Sequence, residues 1–182
     1  MSERRHELIE KSLEYLLEHG VAGLSLRPLA GKIGTSARLL VYHFGSKDGL
    51  VAAVMDEVRA RTQKSFAESQ ANPAKGKPKG NMLVFWTWII HPANLSYIRL
   101  LFEVQVLAIQ NPGTYSRYLE GTSSSWLEVI EASLPPSKDK CILATLCAAV
   151  IDGLLIEYMS TGEGLRTTKA LEVFSRLMGG ES

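Results

Sequence analysis

The fold of this 182-residue chain is decided by residues 24–50, which read LSLRPLAGKIGTSARLLVYHFGSKDGL. Ser25 is a suitable N-cap for a first short helix, and Gly34 ends that helix because glycine tolerates the left-handed conformation used there. Thr35 or Ser36 begins a second short helix. Two short helices joined by a glycine turn predict a helix-turn-helix, a motif whose second helix enters the major groove of DNA.

The residue types in this stretch resemble those of a known family. The segment 33–36, Ile-Gly-Thr-Ser, and the segment 40–50, Leu-Val-Tyr-His-Phe-Gly-Ser-Lys-Asp-Gly-Leu, are similar to the signature of the TetR family of bacterial transcription regulators. That signature is roughly Ala-Gly-Val-Ser, three variable residues, an apolar residue, Tyr-Tyr-His-Phe, Pro or Gly, Ser-Lys-Glu, any residue and Leu. Arg38, Leu39 and Val41 depart from it, because a small residue, threonine and a first tyrosine are common there.

The resemblance is close over residues 5–55 and architectural beyond them. It implies an all-α fold, in which a three-helix helix-turn-helix DNA-binding head is followed by a helical ligand-binding and dimerisation domain. We place the DNA-binding domain at residues 1–46 and the effector-binding and dimerisation domain at residues 47–182. A connecting helix opens the second domain, and the Pro-, Gly- and Lys-rich segment 71–80 is predicted to be a flexible loop.

The remainder of the chain is predicted to be helical. Glycine and proline separate its periodic segments, and no run alternates apolar and polar residues as a half-buried strand does. Ser46 is the expected N-cap of the connecting helix, and Ser137 that of a long apolar helix. The segment 114–134 is expected to be a helix interrupted near residues 121–125. The other predicted helices cover residues 4–19, 82–91, 95–110, 138–160 and 166–178.

The composition is that of an ordinary folded protein, with 46% hydrophobic residues, 21% charged residues and a net charge of +1. Such a chain is neither disordered nor strongly basic. The charges are nevertheless unevenly placed, because every Lys, Arg, Asp or Glu between residues 25 and 47 is positive: Arg27, Lys32, Arg38 and Lys47. A local patch of cations is the electrostatic footprint of a phosphate-binding surface.

Several features predict a cytoplasmic protein. The N-terminal residues are charged with no apolar segment behind them, so no signal peptide is expected. The longest apolar stretch, residues 141–156, contains Asp152 and is shorter than the ~20 residues that a membrane span needs. Cys141 and Cys147 point to different faces of one helix and are expected to be reduced thiols.

Residues near the start of the second short helix are the candidates for reading bases, because that end of the helix reaches base edges. Arg38 is the best of them, since its guanidinium can pair with both acceptors of guanine, and the alternative is that it binds a phosphate. In the resembled family, positions matching Tyr42 and Lys47 commonly contact the DNA backbone. Either Tyr42 or His43 could instead lie in the core, as Phe44 is expected to do. The predicted base-reading residues are Thr35, Ser36, Ala37, Arg38 and Leu39, and the predicted phosphate contacts are Ser25, Arg27, Tyr42, His43 and Lys47.

Eight of the chain's aromatic residues fall between residues 85 and 126. Small-molecule sites are mainly apolar and aromatic, with a few polar groups, here from His91, Arg99, Glu103 or Gln105. Aromatic residues at helical spacing also form ordinary cores, so both interpretations stay open, and the resemblance is what implies a pocket for a small apolar or aromatic effector. The predicted pocket residues are Phe85, Trp86, Trp88, Tyr97, Leu101, Phe102, Gln105, Tyr118, Trp126 and Ile151.

Residues 141–156 are apolar around most of their helix, which is more than the surface helix of a monomer should be. Such a helix needs cover from its own core and from a partner, unless one larger core buries it. The final helix offers a second apolar stripe, and two such pairs make the four-helix interface by which the resembled family dimerises. The predicted interface residues are Leu143, Leu146, Val150, Leu154, Leu171, Phe174 and Leu177.

Enzyme signatures are missing from the sequence, including GxSxG, GxGxxG, a Walker loop and HExxH. The four histidines show no metal-ligand spacing, so no enzyme activity, cofactor or metal is predicted. We predict a ligand-responsive repressor that binds a palindromic operator as a dimer and is released by a small molecule. One alternative is a helix-turn-helix regulator without an effector, whose helical body serves only dimerisation or a protein partner. Another is a helical enzyme or carrier in which the motif is structural.

Overall fold

The computed structural model describes residues 3–71, 81–113, 115–134 and 136–178. Within these ranges every regular element is a helix, which confirms the all-α prediction. Nearly all of the predicted loop at 71–80 lies outside the described residues. The helices are α1 (Glu3–His19), α2 (Leu26–Lys32), α3 (Ala37–Phe44), α4 (Lys47–Ala71), α5 (Asn81–Ile89), α6 (Pro92–Gln110), α7 (Ser116–Ser133), α8 (Lys140–Thr161) and α9 (Gly164–Met178).

The predicted caps around the helix-turn-helix are present, apart from one side-chain bond. Ser36 precedes α3, and its hydroxyl accepts a hydrogen bond from the backbone N–H three residues later at 3.2 Å. Ser46 makes the equivalent bond at the start of α4, at 3.0 Å. Gly34, in the turn between α2 and α3, has a φ of 72° that favours glycine. Ser25 has the extended backbone of an N-cap before α2, but within the described residues its hydroxyl makes no capping hydrogen bond.

Two predictions about the C-terminal half were wrong. The expected break in α7 near residues 121–125 is absent from this described helix, because a continuous helix keeps its backbone hydrogen bonds while a mid-helix glycine costs only ~1 kcal/mol. Asp139 rather than Ser137 precedes α8, and the Ser137 hydroxyl accepts a bond from the Asp139 N–H at 3.2 Å. The α8 helix has 22 residues, close to the predicted 138–160, and it could cross a membrane by length and composition alone. One such helix is weak evidence for a membrane span, because the apolar helix of a folded protein passes the same test.

The described chain forms two compact units, of which the first comprises Met1–Glu68 and Pro92–Gly121. Its core joins the helix-turn-helix to α4 and α6, because buried side chains from all these helices form one cluster. The α6 members are Leu100, Val104 and Ala108. This core does not divide at residue 46, because α4 and α6 pack together with α1–α3. The boundary predicted there remains a prediction about which residues bind DNA.

The second compact unit comprises Ser69–His91 and Thr122–Ser182. In this unit α9 packs against both α5 and α8. Trp86 of α5 is fully buried, and its indole N–H donates to the Thr168 hydroxyl at 2.8 Å. The buried stripe of α8 is Ala144, Cys147, Ile151 and Leu155. Only this stripe of the helix is fully covered, which leaves other apolar side chains of α8 exposed.

Candidate DNA-binding site and associated surfaces

The predicted recognition helix α3 packs against the core through Leu40, which is completely buried. Arg38 and Ser36 are exposed at its N-terminal end, and Ala37 and Leu39 are half-buried beside them. Thr35 differs from the other predicted base-reading residues, because its hydroxyl is buried and has no hydrogen-bond partner among the described residues. Four of the five predicted residues are thus presented at one end of α3, with Arg38 as the only long cationic side chain among them.

The predicted phosphate contacts lie before, within and after α3 along the chain. Ser25, Arg27 and Lys47 are exposed, and His43 is half-buried. Tyr42 is 80% exposed, which decides the alternative left open by the sequence: Tyr42 is a surface side chain and not a core residue. Its hydroxyl can therefore donate a hydrogen bond to a neighbouring molecule.

Asp48 directly follows Lys47 in the sequence and lies in the first turn of α4. The buried Tyr115 phenol faces it and hydrogen-bonds to it. Burial, together with the Asp48 carboxylate, raises the pKa of Tyr115. Tyr115 thus gives this carboxylate a partner inside the first unit.

Glu103 of α6 holds the turn between α1 and α2. One of its carboxylate oxygens, Oε1, accepts hydrogen bonds from the N–H groups of Val21 at 2.8 Å and Ala22 at 2.6 Å. Gly20 precedes them with a φ of 73°, and a Cβ at Gly20 would lie 2.9 Å from Glu103 Oε2. Glu103 had been a candidate polar group for the ligand pocket. In the structure, its two hydrogen bonds instead hold the backbone just before Ser25 and α2.

The predicted ligand residues divide between the two compact units. In the second unit, Phe85, Trp88 and Trp126 form a three-ring cluster with centroid separations of 5.3 to 5.8 Å. Trp86 and Ile151 belong to the core of the same unit. The predicted residues of the first unit are Tyr97, Leu101, Phe102, Gln105 and Tyr118.

Two of the tyrosines in the first unit have structural partners. Tyr118 is buried, and its hydroxyl donates to the Leu101 carbonyl oxygen at 3.3 Å. Tyr97 is half-buried and hydrogen-bonds to Arg61.

An open depression of about 560 Å³ lies elsewhere, at the turn between α8 and α9, and none of the predicted ligand residues lines it. Its lining residues are Gly162, Glu163, Gly164, Leu165, Arg166 and Lys169.

The residues predicted to form the dimer interface are only partly exposed in the single chain. Leu146 and Leu177 are exposed, at 46% and 73%, whereas Leu143, Val150, Leu154 and Phe174 are half-buried. Leu171 is completely buried in the single chain, so it belongs to the core of its own unit and not to the exposed face. Because α8 is apolar on most sides, its periodicity could not tell which stripe faces inward. The exposed apolar residues that the prediction missed on α8 and α9 are Ile142, Ile156, Leu165 and Val173.

The exposed stripe of α8 also carries small and polar residues. Ala149 and Gly153 are exposed there, and a Cβ added at Gly153 would meet no described atom within 4 Å. Asp152 is exposed beside them, and desolvation by the surrounding apolar atoms raises the pKa of its carboxyl. A carboxyl with a raised pKa contributes stability below its unfolded-state pKa and loses it as the pH rises. Asp152 therefore opposes burial of this stripe at neutral pH, while its apolar neighbours favour it.

The two cysteines are free thiols, as expected, with Cys141 exposed and Cys147 buried. Burial raises the pKa of the Cys147 thiol. Since the thiolate is the reactive form, this residue is a core side chain and not a nucleophile.

A polar cluster that the sequence interpretation missed joins α1 to α4. His6, Glu10 and Glu57 bring possible ligand atoms within 4.8 Å of one another. Arg61 pairs with both carboxylates, with Glu57 at 2.8 Å and with Glu10. Burial acts to lower the pKa of Arg61, but the hydrogen bonds to Glu57 and Glu10 outweigh it and raise that pKa. The cluster is thus an ion-pair network between two helices of the first unit.

A capped helix-turn-helix with an exposed, cationic second helix defines a DNA-binding protein of the helix-turn-helix class. Residues 8–54 match the model of the family described as bacterial regulatory proteins, tetR family. The HTH-type transcriptional repressor AcnR of Corynebacterium diphtheriae is 24% identical over 95% of this chain and 90% of its own length. The HTH-type transcriptional regulator BetI of Burkholderia mallei is 27% identical over 93% of this chain and 89% of its own.

Solved structures with the same fold include the multidrug binding protein EbrR complexed with ethidium. It has a TM-score of 0.74 and 21% identity, covering 96% of this chain and 98% of that chain. A transcriptional regulator from Rhodococcus sp. Rha1 also has a TM-score of 0.74, with 18% identity over 93% of this chain and 92% of that chain. Residues 8–54 of the present chain are therefore a helix-turn-helix domain of the TetR type. The relatives that align over nearly the whole chain are described as transcriptional regulators.

Proposed function

We propose that this regulator is a cytoplasmic repressor that binds a palindromic operator as a homodimer and leaves it when a small molecule binds. The observation that carries the DNA-binding part is the exposed Arg38 at the start of α3, in a segment where the exposed charged residues are all cationic. Arg38, with Ser36, Ala37 and Leu39, reads bases in the major groove, and Thr35 joins them if its hydroxyl turns outward. The phosphate contacts are Ser25, Arg27, Tyr42, His43 and Lys47.

The test is a genome-wide selection of DNA fragments with the purified protein, followed by sequencing of the bound fraction. Recovery of a short palindrome supports a dimeric regulator with one half-site for each recognition helix. The genes beside the recovered sites then indicate the chemistry of the effector. If no common sequence is enriched at any salt concentration, the proposed operator binding is wrong.

The roles of Arg38 and Lys47 predict different effects of substitution. Arg38→Ala is expected to weaken binding to the selected operator by ~1–3 kcal/mol and to relax the preference for one base pair, because a bidentate contact to guanine is lost. Lys47→Ala is expected to weaken binding to operator and scrambled duplexes alike, since a phosphate contact carries no sequence information. Fluorescence anisotropy with both duplexes measures these effects. If Arg38→Ala leaves the sequence preference unchanged, Arg38 does not read a base.

The homodimer is proposed to form through the exposed apolar faces of α8 and α9. A second copy suits this surface, because a two-fold axis brings the same apolar patch from each chain together. The small residues Ala149 and Gly153 allow a close approach of α8 to its partner. Leu146, Leu177 and the half-buried Leu143, Val150, Leu154 and Phe174 add apolar area around it.

Effector control is proposed to act through α4, which starts directly after the helix-turn-helix and continues to Ala71. A ligand that prefers another arrangement of this helix would change the distance between the two recognition helices of the dimer. The spacing would then no longer match the two half-sites, and the DNA would be released. The ligand can shift this equilibrium only by its difference in affinity for the two states.

The effector is proposed to be a small apolar or aromatic molecule near the Phe85, Trp88 and Trp126 rings. The related fold of EbrR has been solved with ethidium and with proflavin, so these two flat aromatic compounds are suitable probes. All three tryptophans of the chain, including Trp86, belong to the second unit, so intrinsic fluorescence reports on that unit alone.

Titration with proflavin in the absence of DNA is expected to quench this fluorescence and to raise the melting temperature. A ligand at 100 times its dissociation constant stabilises the native state by about 2.7 kcal/mol. Trp126→Phe should reduce the quenching, whereas Trp86→Phe should not, because Trp86 is buried in the core. Unchanged melting with a broad set of apolar and aromatic compounds would contradict an effector site.

The second candidate is a regulator without an effector, whose helical body serves only dimerisation or a protein partner. It is favoured by the burial of Trp86, Tyr118 and Ile151, since these predicted pocket residues have core positions in the single chain. The same ligand titration distinguishes the two functions.

A further inference from the structure

We propose that Gly49 is a positioning residue for DNA recognition, because its missing side chain lets the end of α3 pack directly onto the first turn of α4. Gly49 is the third residue of α4, and Phe44 is the last residue of α3. A Cβ added at Gly49 would overlap the carbonyl oxygen of Phe44 and would lie 3.3 Å from its carbonyl carbon. The proposal rests on the proposed DNA binding by α3, and it adds a residue that acts through the direction of that helix.

The overlap at Gly49 involves backbone, which distinguishes this residue from the other described glycines. At Gly20 and Gly164 a Cβ would approach only side-chain atoms, which can rotate away. A carbonyl group in a helix cannot turn by itself, because the peptide bond is planar and the helix fixes the adjoining φ and ψ angles. A side chain at Gly49 therefore requires the end of α3 to move away from α4.

The connection between the two helices has little freedom to absorb such a movement, because it contains only two residues. Gly45 follows α3 with a φ of 78°, and its N–H donates to the Val41 carbonyl oxygen at 2.8 Å. Ser46 precedes α4, and its hydroxyl accepts the N–H of Gly49 at 3.0 Å. Leu50, the next residue of α4, is completely buried. A displacement at the end of α3 is therefore passed on to the whole helix.

Arg38 is the proposed DNA contact most sensitive to a tilt of α3, because it lies at the opposite end of the helix from Phe44. The two residues are about 9 Å apart along the helix axis, so a tilt of about 10° at Phe44 would displace Arg38 by about 1.6 Å. A positioned recognition group has to stay within about 0.5 Å of its productive place. Lys47 belongs to α4, and its flexible side chain can follow a phosphate. A side chain at Gly49 should thus impair base reading more than phosphate binding.

Neither the helix signals nor the family resemblance assigns a role to Gly49. The signature that residues 40–50 resemble accepts any residue at this position, and glycine inside a helix is otherwise unfavourable. A side chain there needs a wider connection between α3 and α4 than this chain has. Glycine thus allows an orientation of α3 that other residue types do not.

The test compares Gly49→Ala with Gly31→Ala in the full chain, by fluorescence anisotropy with a selected operator and a scrambled duplex of equal length. Gly31 is the matched control, because it is exposed within α2 and a Cβ there would meet no described atom within 4 Å. Gly49→Ala is expected to weaken operator binding about tenfold or more, as loss of a base contact does, and to change binding to the scrambled duplex less than about twofold. Gly31→Ala should leave both affinities unchanged and raise the melting temperature.

The double variant Gly31→Ala/Gly49→Ala separates a loss of stability from a loss of position. Stability effects of residues that share no contact usually add, so the stabilising substitution offsets part of the destabilising one and keeps the protein folded in the assay. Operator binding should nevertheless stay weak. In an Arg38→Ala background, Gly49→Ala should have little further effect on operator binding, since the base contact that it displaces is already missing.

Four results would overturn the proposal: normal operator binding by Gly49→Ala, operator binding restored together with stability in the double variant, equal losses for the two duplexes, or additive effects of Gly49→Ala and Arg38→Ala. A double variant that does not fold would also contradict it, because α3 would then be unable to change direction. If the unmodified protein itself selects no sequence, the proposed operator binding is wrong instead.

Discussion

Replacing Ile142 by glutamate is expected to convert the proposed dimer to a monomer. Ile142 is 68% exposed on α8, and the second copy would cover it. A carboxylate buried there without a partner costs several kcal/mol, about 100-fold or more in the dimer dissociation constant. A monomer places only one recognition helix on a half-site, so its affinity for a palindrome should fall steeply. Sedimentation velocity at micromolar concentration and anisotropy with the selected operator measure the two effects.

The chain offers a closely matched control for this substitution. Ile109 of α6 is 65% exposed, yet it lies outside the proposed interface. Ile109→Glu makes the same chemical change at nearly the same exposure, and it should leave the protein dimeric. Ile156→Glu, on the stripe of Ile142, should behave like Ile142→Glu. If the unmodified protein sediments as a monomer, or if the variants of Ile109 and Ile142 behave alike, the proposed interface is wrong.

The N-terminal helices could be predicted because their signals are local. Ser36 and Ser46 each cap a helix through the backbone N–H three residues later, and Gly34 terminates α2 through its own φ. Each of these signals involves residues that are only a few positions apart in the sequence. The stretch that carries these signals is also the part that matches the family model.

Features that depend on distant parts of the chain could not be predicted in this way. The exposed stripe of α8 was misplaced because apolar residues surround that helix, and only packing against α9 and the core selects which side is buried. The aromatic residues could be counted but not assigned to core or pocket. Glu103 was taken as a pocket candidate, since nothing local shows that its partner lies 82 residues away.

Replacing Glu103 by alanine is expected to destabilise the protein by about 2 kcal/mol, because hydrogen bonds to a charged group contribute about 1.5–3 kcal/mol. Val21 is buried, so its N–H would lose its partner, whereas water can replace the bond at the exposed Ala22. Urea unfolding followed by far-ultraviolet circular dichroism measures the stability. Hydrogen exchange should show faster exchange at Val21 and Ala22 than in the unmodified protein.

Glu103→Gln separates the contribution of the carboxylate's charge from that of its two hydrogen bonds. Both hydrogen bonds end on Oε1 alone, so the single amide oxygen of glutamine can accept them. We expect this variant to keep the slow exchange of the turn and most of the stability. Equal losses in the alanine and glutamine variants would mean that the charge matters more than the two bonds.

Substitution of Glu103 is also expected to affect DNA binding. The turn that Glu103 holds leads directly through Ser25 into α2, so its release should let the helix-turn-helix move relative to α6. We expect Glu103→Ala to weaken operator binding even at temperatures where the variant is fully folded, and Glu103→Gln to restore it. If Glu103→Ala binds the operator normally while folded, the turn contributes to stability only.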